Sequence, residues 1–341
     1  MKAIVYEKAG SGAYIDVPYP TCGDDDVIIK VVTCGICKGA ELGHSRTGTA
    51  FSAYPTTPGH EFAGYVDKVG KNVTLFKEGD RVTADNAVPC GQCYYCKKNK
   101  PLLCQHFGYI GHNIPGGFAE YVKVEQDKVF LLPDAMTFNQ GAIVETVACC
   151  VNAVDKLNPQ LGEDIAVLGA GPNGMILAQL IHHSSALSTT VIASTQEKLD
   201  IMASFGIGTI FLDRNDHAKH EAEVLRRFPN GLDGFVDSTA SPALVAETFK
   251  LLKKGGRAVQ YGVFGKDARM DLDARLFFTR QLNYSASGAQ THCFGRAIDY
   301  VASGKVNVDC LITAEYALKD YFEALDVVAN DRRALKILIH P

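Results

Sequence analysis

The sequence lacks any apolar stretch of about 18 residues, so we expect no segment of the 341-residue chain to span a membrane. Its N-terminus, MKAIVYEKAG, lacks the apolar stretch of a secretory signal and alternates like a β-strand. Long runs of like charge are also absent. The densest basic cluster is Lys97, Lys98 and Lys100, which is too small for a nucleic-acid interface. These absences predict a cytoplasmic protein that binds neither membrane nor nucleic acid.

What is present suits a globular protein. Hydrophobic residues make up 47% of the chain and charged residues 21%, and the formal net charge is −4. This length and composition exclude an intrinsically disordered chain and suggest two domains of moderate size.

Four of the eleven cysteines fall within one stretch, CGQCYYCKKNKPLLC, at residues 90–104. The spacing of Cys90, Cys93, Cys96 and Cys104 lets successive thiolates turn inward on one tight loop, which Gly91 makes flexible. A reducing cytosol favours metal binding over disulfides. We predict a structural zinc site without an open position; four free thiols in a loop are the alternative.

Residues for a second, open zinc site lie nearer the N-terminus. Cys37 ends the β-rich run DVIIKVVTCGIC, and His60 and Glu61 stand in PGHEFAG, ahead of another alternating strand. A cysteine, a histidine and a carboxylate can bind zinc and leave a position for water or substrate. Alone, the His–Glu pair is more often a surface pair. Together with CGIC and the four-cysteine loop, it predicts a catalytic zinc.

Glu145 is the single charged residue in the apolar run GAIVETVACCVNAV, which predicts a buried helix. A buried carboxylate without a partner is costly, so it requires a cation or hydrogen-bond donors. We expect the catalytic zinc to be that cation. A salt bridge to an arginine or lysine elsewhere in the chain is the alternative.

The stretch DIAVLGAGPNGMILAQL predicts a strand, a glycine-rich turn and a helix. The turn matches GxGxxG, whose glycines allow the backbone to approach a pyrophosphate at the helix N-terminus. We therefore expect the cofactor to contact Gly169, Gly171, Pro172, Asn173 and Gly174.

Further strand-like stretches, TTVIAS, TIFLD, LDGFVDST and GRAVQYGVFG, alternate with helical ones. The helix in SPALVAETFKLLKKGG is expected to begin after a Ser241 cap, with Pro242 first, and to end before Gly255. This alternation predicts a doubly wound parallel α/β sheet.

In this order the motifs resemble those of the zinc-containing medium-chain dehydrogenase/reductase family, nearest to its sorbitol (polyol) dehydrogenase branch. The matching stretches are CGIC, PGHEFAG, CGQCYYCKKNKPLLC, GGFAEYV and VLGAGPNG. The resemblance implies a GroES-like, β-rich catalytic domain of residues 1–153 and 290–341, with a structural zinc lobe at about 88–106. It implies a Rossmann coenzyme-binding domain of residues 154–289, and a homodimer or homotetramer.

Carried over by residue, the resemblance places Cys37 and His60 on the catalytic zinc and excludes Cys34. Glu61 then binds directly or through water. Glu145 stands where alcohol dehydrogenases of the family have a second cysteine and polyol dehydrogenases a glutamate, which favours the polyol branch.

The chain departs from the family after the ligand cysteine. The family usually continues x-[ST]-D-x-H, with a hydroxyl that passes the alcohol proton toward the histidine. Gly39, Ala40 and Leu42 occupy these places here, so the proton path differs; His44 or Glu41 are candidates to replace it.

The implied reaction is zinc-dependent hydride transfer between a secondary alcohol of a polyol or sugar alcohol, phosphorylated or free, and a nicotinamide cofactor. A primary-alcohol or threonine-type zinc dehydrogenase is the main alternative. A zinc-independent reductase or a non-catalytic binding protein on this fold fits the ligand set less well. Lys38 would suit a sugar phosphate, although a lone loop lysine is usually only solvated.

NAD enzymes of this fold place an acid at the end of the second Rossmann strand. That position is Ala193 here, and Ser194, Thr195 and Lys198 follow it. Hydroxyls and an ammonium suit a phosphate, so we predict a preference for NADP(H) over NAD(H). The stretch lacks the arginine usual in the family's NADP enzymes, and relaxed specificity is the alternative.

Overall fold

The computed structural model describes residues 1–341, which form two compact units. The first unit consists of Met1–Ala148, Gln290–Gly304 and Val308–Pro341, and the second of Cys149–Ala289 and Lys305–Asn307. The first change of unit therefore falls inside a long helix, a few residues before position 153. None of the helices combines the length and the apolarity that crossing a membrane requires.

The chain contains seventeen strands and ten α-helices. The strands are β1 (Lys2–Lys8), β2 (Ser11–Asp16), β3 (Asp26–Gly35), β4 (Glu61–Val69), β5 (Arg81–Ala84), β6 (Ala87–Val88), β7 (Gly108–Tyr109), β8 (Tyr121–Glu125), β9 (Val129–Leu131), β10 (Asp164–Leu168), β11 (Ser188–Ala193), β12 (Gly208–Phe211), β13 (Leu232–Asp237), β14 (Leu252–Gln260), β15 (Asn283–Ala286), β16 (Ile312–Ala317) and β17 (Lys336–His340). The helices are α1 (Lys38–His44), α2 (Tyr94–Lys97), α3 (Phe138–Leu157), α4 (Pro172–His182), α5 (Gln196–Ser204), α6 (His217–Arg227), α7 (Pro242–Thr248), α8 (Ala274–Arg280), α9 (Phe294–Ala302) and α10 (Tyr321–Asn330).

The first unit is built on a seven-stranded sheet in the order β16-β17-β3-β4-β5-β9, with β8 also paired to β3. Alternate residues of β3, including Val27, Ile29 and Val31, enter a buried core that also contains Phe62 and Phe118. Burial of these apolar side chains fixes the register of β3, because a one-residue slip would turn them out of the core.

The pairing of β3, β4 and β17 brings three distant segments to one edge of this sheet. The end of β3 lies opposite the start of β4, with Gly35 paired to Glu61. Strand β17 is also antiparallel to β3, and its Leu338 pairs with Gly35. The residues after β3 and those that begin β4 and β17 therefore meet at this edge.

The second unit contains a six-stranded parallel sheet in the order β12-β11-β10-β13-β14-β15. The chain reverses its direction of travel across the sheet after β12, so β10 and β13 flank the switch point where doubly wound folds bind ligands. The predicted combination of a β-rich GroES-like part and a Rossmann sheet is confirmed.

One predicted helix is shorter than expected. Ser241 caps α7 by accepting a hydrogen bond from the amide of Leu244, as predicted, but the helix ends at Thr248. A 3₁₀ turn, Phe249–Leu251, follows it, and strand β14 already begins at Leu252. Leu252 pairs with Leu232 and is buried, so strand pairing and core burial override helix propensity there.

Candidate active site

The four cysteines of residues 90–104 converge in the structure. Their sulfur atoms all lie within 4.8 Å of one another, and Cys93 Sγ is 3.6 Å from Cys96 Sγ and 3.9 Å from Cys104 Sγ. A tetrahedral zinc with Zn–S bonds of about 2.3 Å requires sulfurs about 3.8 Å apart. All four thiols are free of disulfides, so the cluster fits a zinc ion.

Backbone amides prepare this cluster for a metal. The amides of Cys90 and His106 both donate to Cys104 Sγ at 3.3 Å. Backbone hydrogen bonds lower the pKa of Cys93 to about 6. Desolvation and the neighbouring thiols raise the pKa of Cys96 to about 12. Without a cation, repulsion between neighbouring thiolates prevents all four cysteines from being deprotonated together. A divalent ion offsets that repulsion.

The second predicted group also assembles. Donor atoms of Cys37, His60 and Glu61 lie within 4.8 Å of one another, because Cys37 follows β3 and Glu61 begins β4 at the shared sheet edge. His60 and Glu61 are buried. Desolvation, then the charge of Glu61, raises the pKa of Cys37 to about 11. A thiolate there needs a cation beside it, which fits a zinc ion.

A buried lysine that the motifs did not reveal lies against this group. Lys336, the first residue of β17, donates from Nζ to both carboxylate oxygens of Glu61. Both side chains are almost fully buried. Burial alone would raise the pKa of Glu61, but Lys336 and then His60 more than offset it and lower that pKa. Glu61 is therefore a charged carboxylate that bonds Lys336 and also lies within 4.8 Å of the donor atoms of Cys37 and His60.

Glu145 lies near these residues but outside the 4.8 Å group. It sits on the buried face of α3 and accepts a hydrogen bond from Asn86 Nδ2 at 2.9 Å. Its charge contributes to the raised pKa values of Cys37 and Lys336. The expected helix and the burial are therefore present, and both a hydrogen-bond donor and a nearby lysine accompany the carboxylate.

Glu41 links the two segments that carry the metal donors. Cys37 precedes α1, and its amide donates to Glu41 Oε2 at 2.7 Å. The other carboxylate oxygen lies 3.8 Å from His60 Nδ1, and neither atom has a hydrogen-bond partner. A small movement would close this contact and leave His60 Nε2 for a metal, an arrangement common around metal-binding histidines.

His44 belongs to a chain of polar side chains beside His60. Its Nδ1 is 3.2 Å from Tyr54 Oη and 3.4 Å from Ser52 Oγ. Ser52 Oγ bonds Thr49 Oγ1 at 2.8 Å, and Thr49 Oγ1 bonds His112 Nδ1 at 3.1 Å.

The series of hydrogen-bonded side chains ends at His112, which contacts His60. The ring of His112 stacks on that of His60 with a centroid distance of 5.2 Å. Burial, then the neighbouring His60 and His44, lowers the pKa of His112 to about 2, so its imidazole is neutral. Hydroxyls and imidazoles therefore lie in the neighbourhood of Cys37, His60 and Glu61.

The glycine-rich loop has the predicted shape in the second unit. Strand β10 ends at Leu168, Gly169 has a φ of +98°, and α4 begins at Pro172 after a Gly171 cap. A Cβ on Gly174 would lie 2.1 Å from Gly169 O, so only glycine fits, whereas a Cβ on Gly171 would meet open space. This cradle suits a dinucleotide pyrophosphate.

The residues predicted to bind the adenosine end of the cofactor, Ser194, Thr195 and Lys198, follow β11. Ala193 ends the strand, Ser194 follows it, and Thr195 is the N-cap of α5 without a side-chain capping bond. Lys198 lies in the first turn of α5 and is half-buried.

Comparisons with known proteins agree with this geometry. Residues 23–134 match the alcohol dehydrogenase GroES-like domain, and residues 172–303 match the zinc-binding dehydrogenase family. The chain is 35% identical to D-arabinitol dehydrogenase 1 of Uromyces fabae, with 100% of this chain and 97% of that protein aligned.

The chain belongs to the zinc-containing medium-chain dehydrogenase/reductase family. It is 34% identical to D-arabitol-phosphate dehydrogenase of Enterococcus avium, over 96% of this chain and 93% of that one. A solved structure described as a zinc-binding dehydrogenase of Sinorhizobium meliloti 1021, bound to NADP, superposes with a TM-score of 0.91. It is 29% identical, and the match covers 100% of this chain and 99% of that one.

This member of the medium-chain dehydrogenase/reductase family is an oxidoreductase, and it departs from the family pattern in the residues that follow Cys37. Where the pattern has an aspartate, this dehydrogenase has Ala40, and Glu41 occupies the next position. The longer glutamate accepts from the Cys37 amide and places its other carboxylate oxygen 3.8 Å from the His60 ring.

Proposed function

We propose that this dehydrogenase oxidises a secondary alcohol of a polyol or sugar alcohol, free or phosphorylated, and that it prefers NADP⁺. Catalytic zinc would be held by Cys37, His60 and either Glu145 or Glu61, and structural zinc by the four-cysteine cluster. The catalytic ion would supply Lewis acidity that lowers the pKa of the alcohol. The glycine-rich loop would hold the cofactor pyrophosphate.

The observation that carries the substrate class is the pair of carboxylates beside a single thiolate. Glu61 and Glu145 are both buried near Cys37. Carboxylates make a harder and more anionic donor set than two cysteines and a histidine. The relatives named for arabinitol and arabitol phosphate support the same substrate class.

The polar chain supports a substrate with several hydroxyls. Thr49, Ser52, His44 and His112 form consecutive hydrogen bonds and end beside His60. The hydroxyls of Thr49 and Ser52 are both donors and acceptors, so beyond their mutual bond they can also bond hydroxyl groups of a substrate. A simple alcohol such as ethanol offers no second hydroxyl for these groups.

A substrate panel tests the proposal. Steady-state oxidation is followed by the absorbance of the reduced nicotinamide for free pentitols and hexitols, their phosphate esters, ethanol and L-threonine, each with NADP⁺ and with NAD⁺. We expect the highest kcat/KM for a polyol or polyol phosphate with NADP⁺. A higher kcat/KM for ethanol or threonine would refute the substrate class, and one favouring NAD⁺ would refute the cofactor preference.

A matched pair of cysteine variants ties the activity to the metal donors. Cys37→Ser should abolish turnover. Cys22→Ser, at a cysteine outside both clusters, should leave it unchanged. Full activity in Cys37→Ser would assign the reaction to a zinc-independent reductase.

A further inference from the structure

The ends of two neighbouring strands in the second unit place a basic residue beside the predicted adenosine site. Strands β11 and β12 are parallel, with Ala193 paired to Phe211. The amide of Leu212 then donates to the carbonyl of Ala193 at 2.8 Å. Because both strands end at the same edge, the residues after β12 lie next to Ser194.

Arg214 occupies that place. Its Nε donates to Ser194 Oγ at 2.8 Å. The side chain is exposed, and no carboxylate lies within ion-pair distance of it. One bond through Nε holds the guanidinium at Ser194 and leaves its two terminal amino groups for a ligand. Arginine presents such a pair of donors in the geometry that a phosphate accepts.

The acid beside Arg214 in the chain already has hydrogen-bond partners. Asp213 precedes Arg214, and a ribose hydroxyl of NAD⁺ could in principle donate to it. Its carboxylate instead accepts from the amide of Asn215 at 2.9 Å and from Lys219 Nζ at 3.0 Å. At the end of β11 itself, the side chain of Ala193 offers no acceptor.

The groups that remain around this edge are donors. Ser194 and Thr195 carry hydroxyls, and the hydroxyl of Thr195 is not used to cap α5. With the guanidinium of Arg214 they form a set that matches a phosphate monoester and lacks the carboxylate that binds an unmodified ribose.

We infer that Arg214 supplies the cation for the 2′-phosphate of NADP(H) and forms its binding site together with Ser194 and Thr195. The inference rests on the proposed preference for NADP(H) and makes Arg214 the residue that sets it. The arginine absent from the stretch after β11 is thereby replaced by one that follows the next strand, 20 residues along the chain.

Isothermal titration calorimetry tests this on the zinc-loaded protein with NADP⁺, NAD⁺, 2′,5′-ADP, 5′-AMP and inorganic phosphate. Arg214→Ala should weaken binding of NADP⁺ and 2′,5′-ADP by about 10- to 100-fold, the range for loss of a charge-assisted hydrogen bond. Binding of NAD⁺ and 5′-AMP should change less than about threefold, because neither carries the 2′-phosphate. Arg214→Lys should recover part of the loss, since a lysine keeps the charge but not the fork of donors.

The matched control is Arg226→Ala, an exposed arginine on α6 that pairs with Glu223; it should leave all five affinities unchanged. Equal losses for NADP⁺ and NAD⁺ in Arg214→Ala, or none, would overturn the role of Arg214 while the cofactor proposal stands. Tighter binding of NAD⁺ than NADP⁺ by the wild type would overturn the cofactor proposal and this inference with it. Inorganic phosphate that binds as tightly as 2′,5′-ADP would show a general anion site and would also overturn the inference.

Discussion

Replacing Lys336 by methionine tests the buried ion pair with Glu61 beside the metal donors. The two side chains are 4% and 1% exposed. Methionine keeps most of the volume and removes the charge, so Glu61 would remain buried without its cation. Breaking a buried pair in this way costs about 3–5 kcal/mol of unfolding free energy. The double variant Lys336→Met/Glu61→Leu should regain most of that loss, because the unpaired charge is gone.

The pair Lys2–Asp16 is the matched control. It joins the same kind of groups, with Nζ and Oδ2 2.7 Å apart, but its side chains are 43% and 74% exposed. Solvent screens such a pair, so its coupling energy should be about 0–1 kcal/mol. Comparing the coupling energies of the two pairs separates the effect of burial from the effect of the distance between the charges.

Urea unfolding at neutral pH, followed by circular dichroism, gives the free energies for both double-mutant cycles. The chain contains no tryptophan, so its fourteen tyrosines provide the fluorescence signal that checks the transition. We expect a coupling energy of at least about 3 kcal/mol for Lys336–Glu61. A value no larger than that of Lys2–Asp16 would refute the electrostatic role of the lysine.

The remaining predictions concern the metal sites and the second unit. Cys104→Ser should lower the thermal midpoint and the zinc content before it affects turnover. Glu145→Ala should reduce kcat/KM far more than it lowers the thermal midpoint. A Glu145 variant with full activity and reduced stability would favour a purely structural carboxylate. Hydrogen bonds and charge from Arg257 lower the pKa of Glu163, so their stabilisation is present above the unfolded value of about 4.3 and is lost as pH falls through the lower folded value. Glu163→Gln should therefore cost about 1–3 kcal/mol of unfolding free energy at pH 7, and this difference should shrink below about pH 4. A difference that stays constant in urea titrations across that pH range would contradict the stabilising role of the Arg257–Glu163 interaction.

Local spacing made part of the molecule predictable. The cysteines at 90, 93 and 96 lie in one short segment that leads into α2, and the glycines at 169, 171 and 174 lie between the end of β10 and the first turn of α4. The geometry of both sets therefore follows from a few residues of backbone. The Rossmann order also follows from alternating strands and helices. In each case, short-range geometry decides the structure.

Long-range pairing decided the rest. Lys336 lies 275 residues from Glu61 in the chain, and its only signal was a lysine in an apolar strand pattern, ALKILIH. Arg214 reaches Ser194 from the segment after the next strand, β12, so the stretch after β11 alone does not reveal it. The local sequence predicts a helix at Leu252, but its pairing with β13 places it in a strand. Helix propensity contributes less free energy than burial in a sheet.

Zinc content per chain, measured by atomic emission on the wild type, Cys37→Ser and Cys22→Ser, tests most directly whether this dehydrogenase carries a reactive zinc site beside a structural one. We expect two zinc ions in the wild type and in Cys22→Ser, and one in Cys37→Ser, with turnover lost only in the last. One zinc or none in the wild type, or two zinc ions in Cys37→Ser, would contradict the assignment.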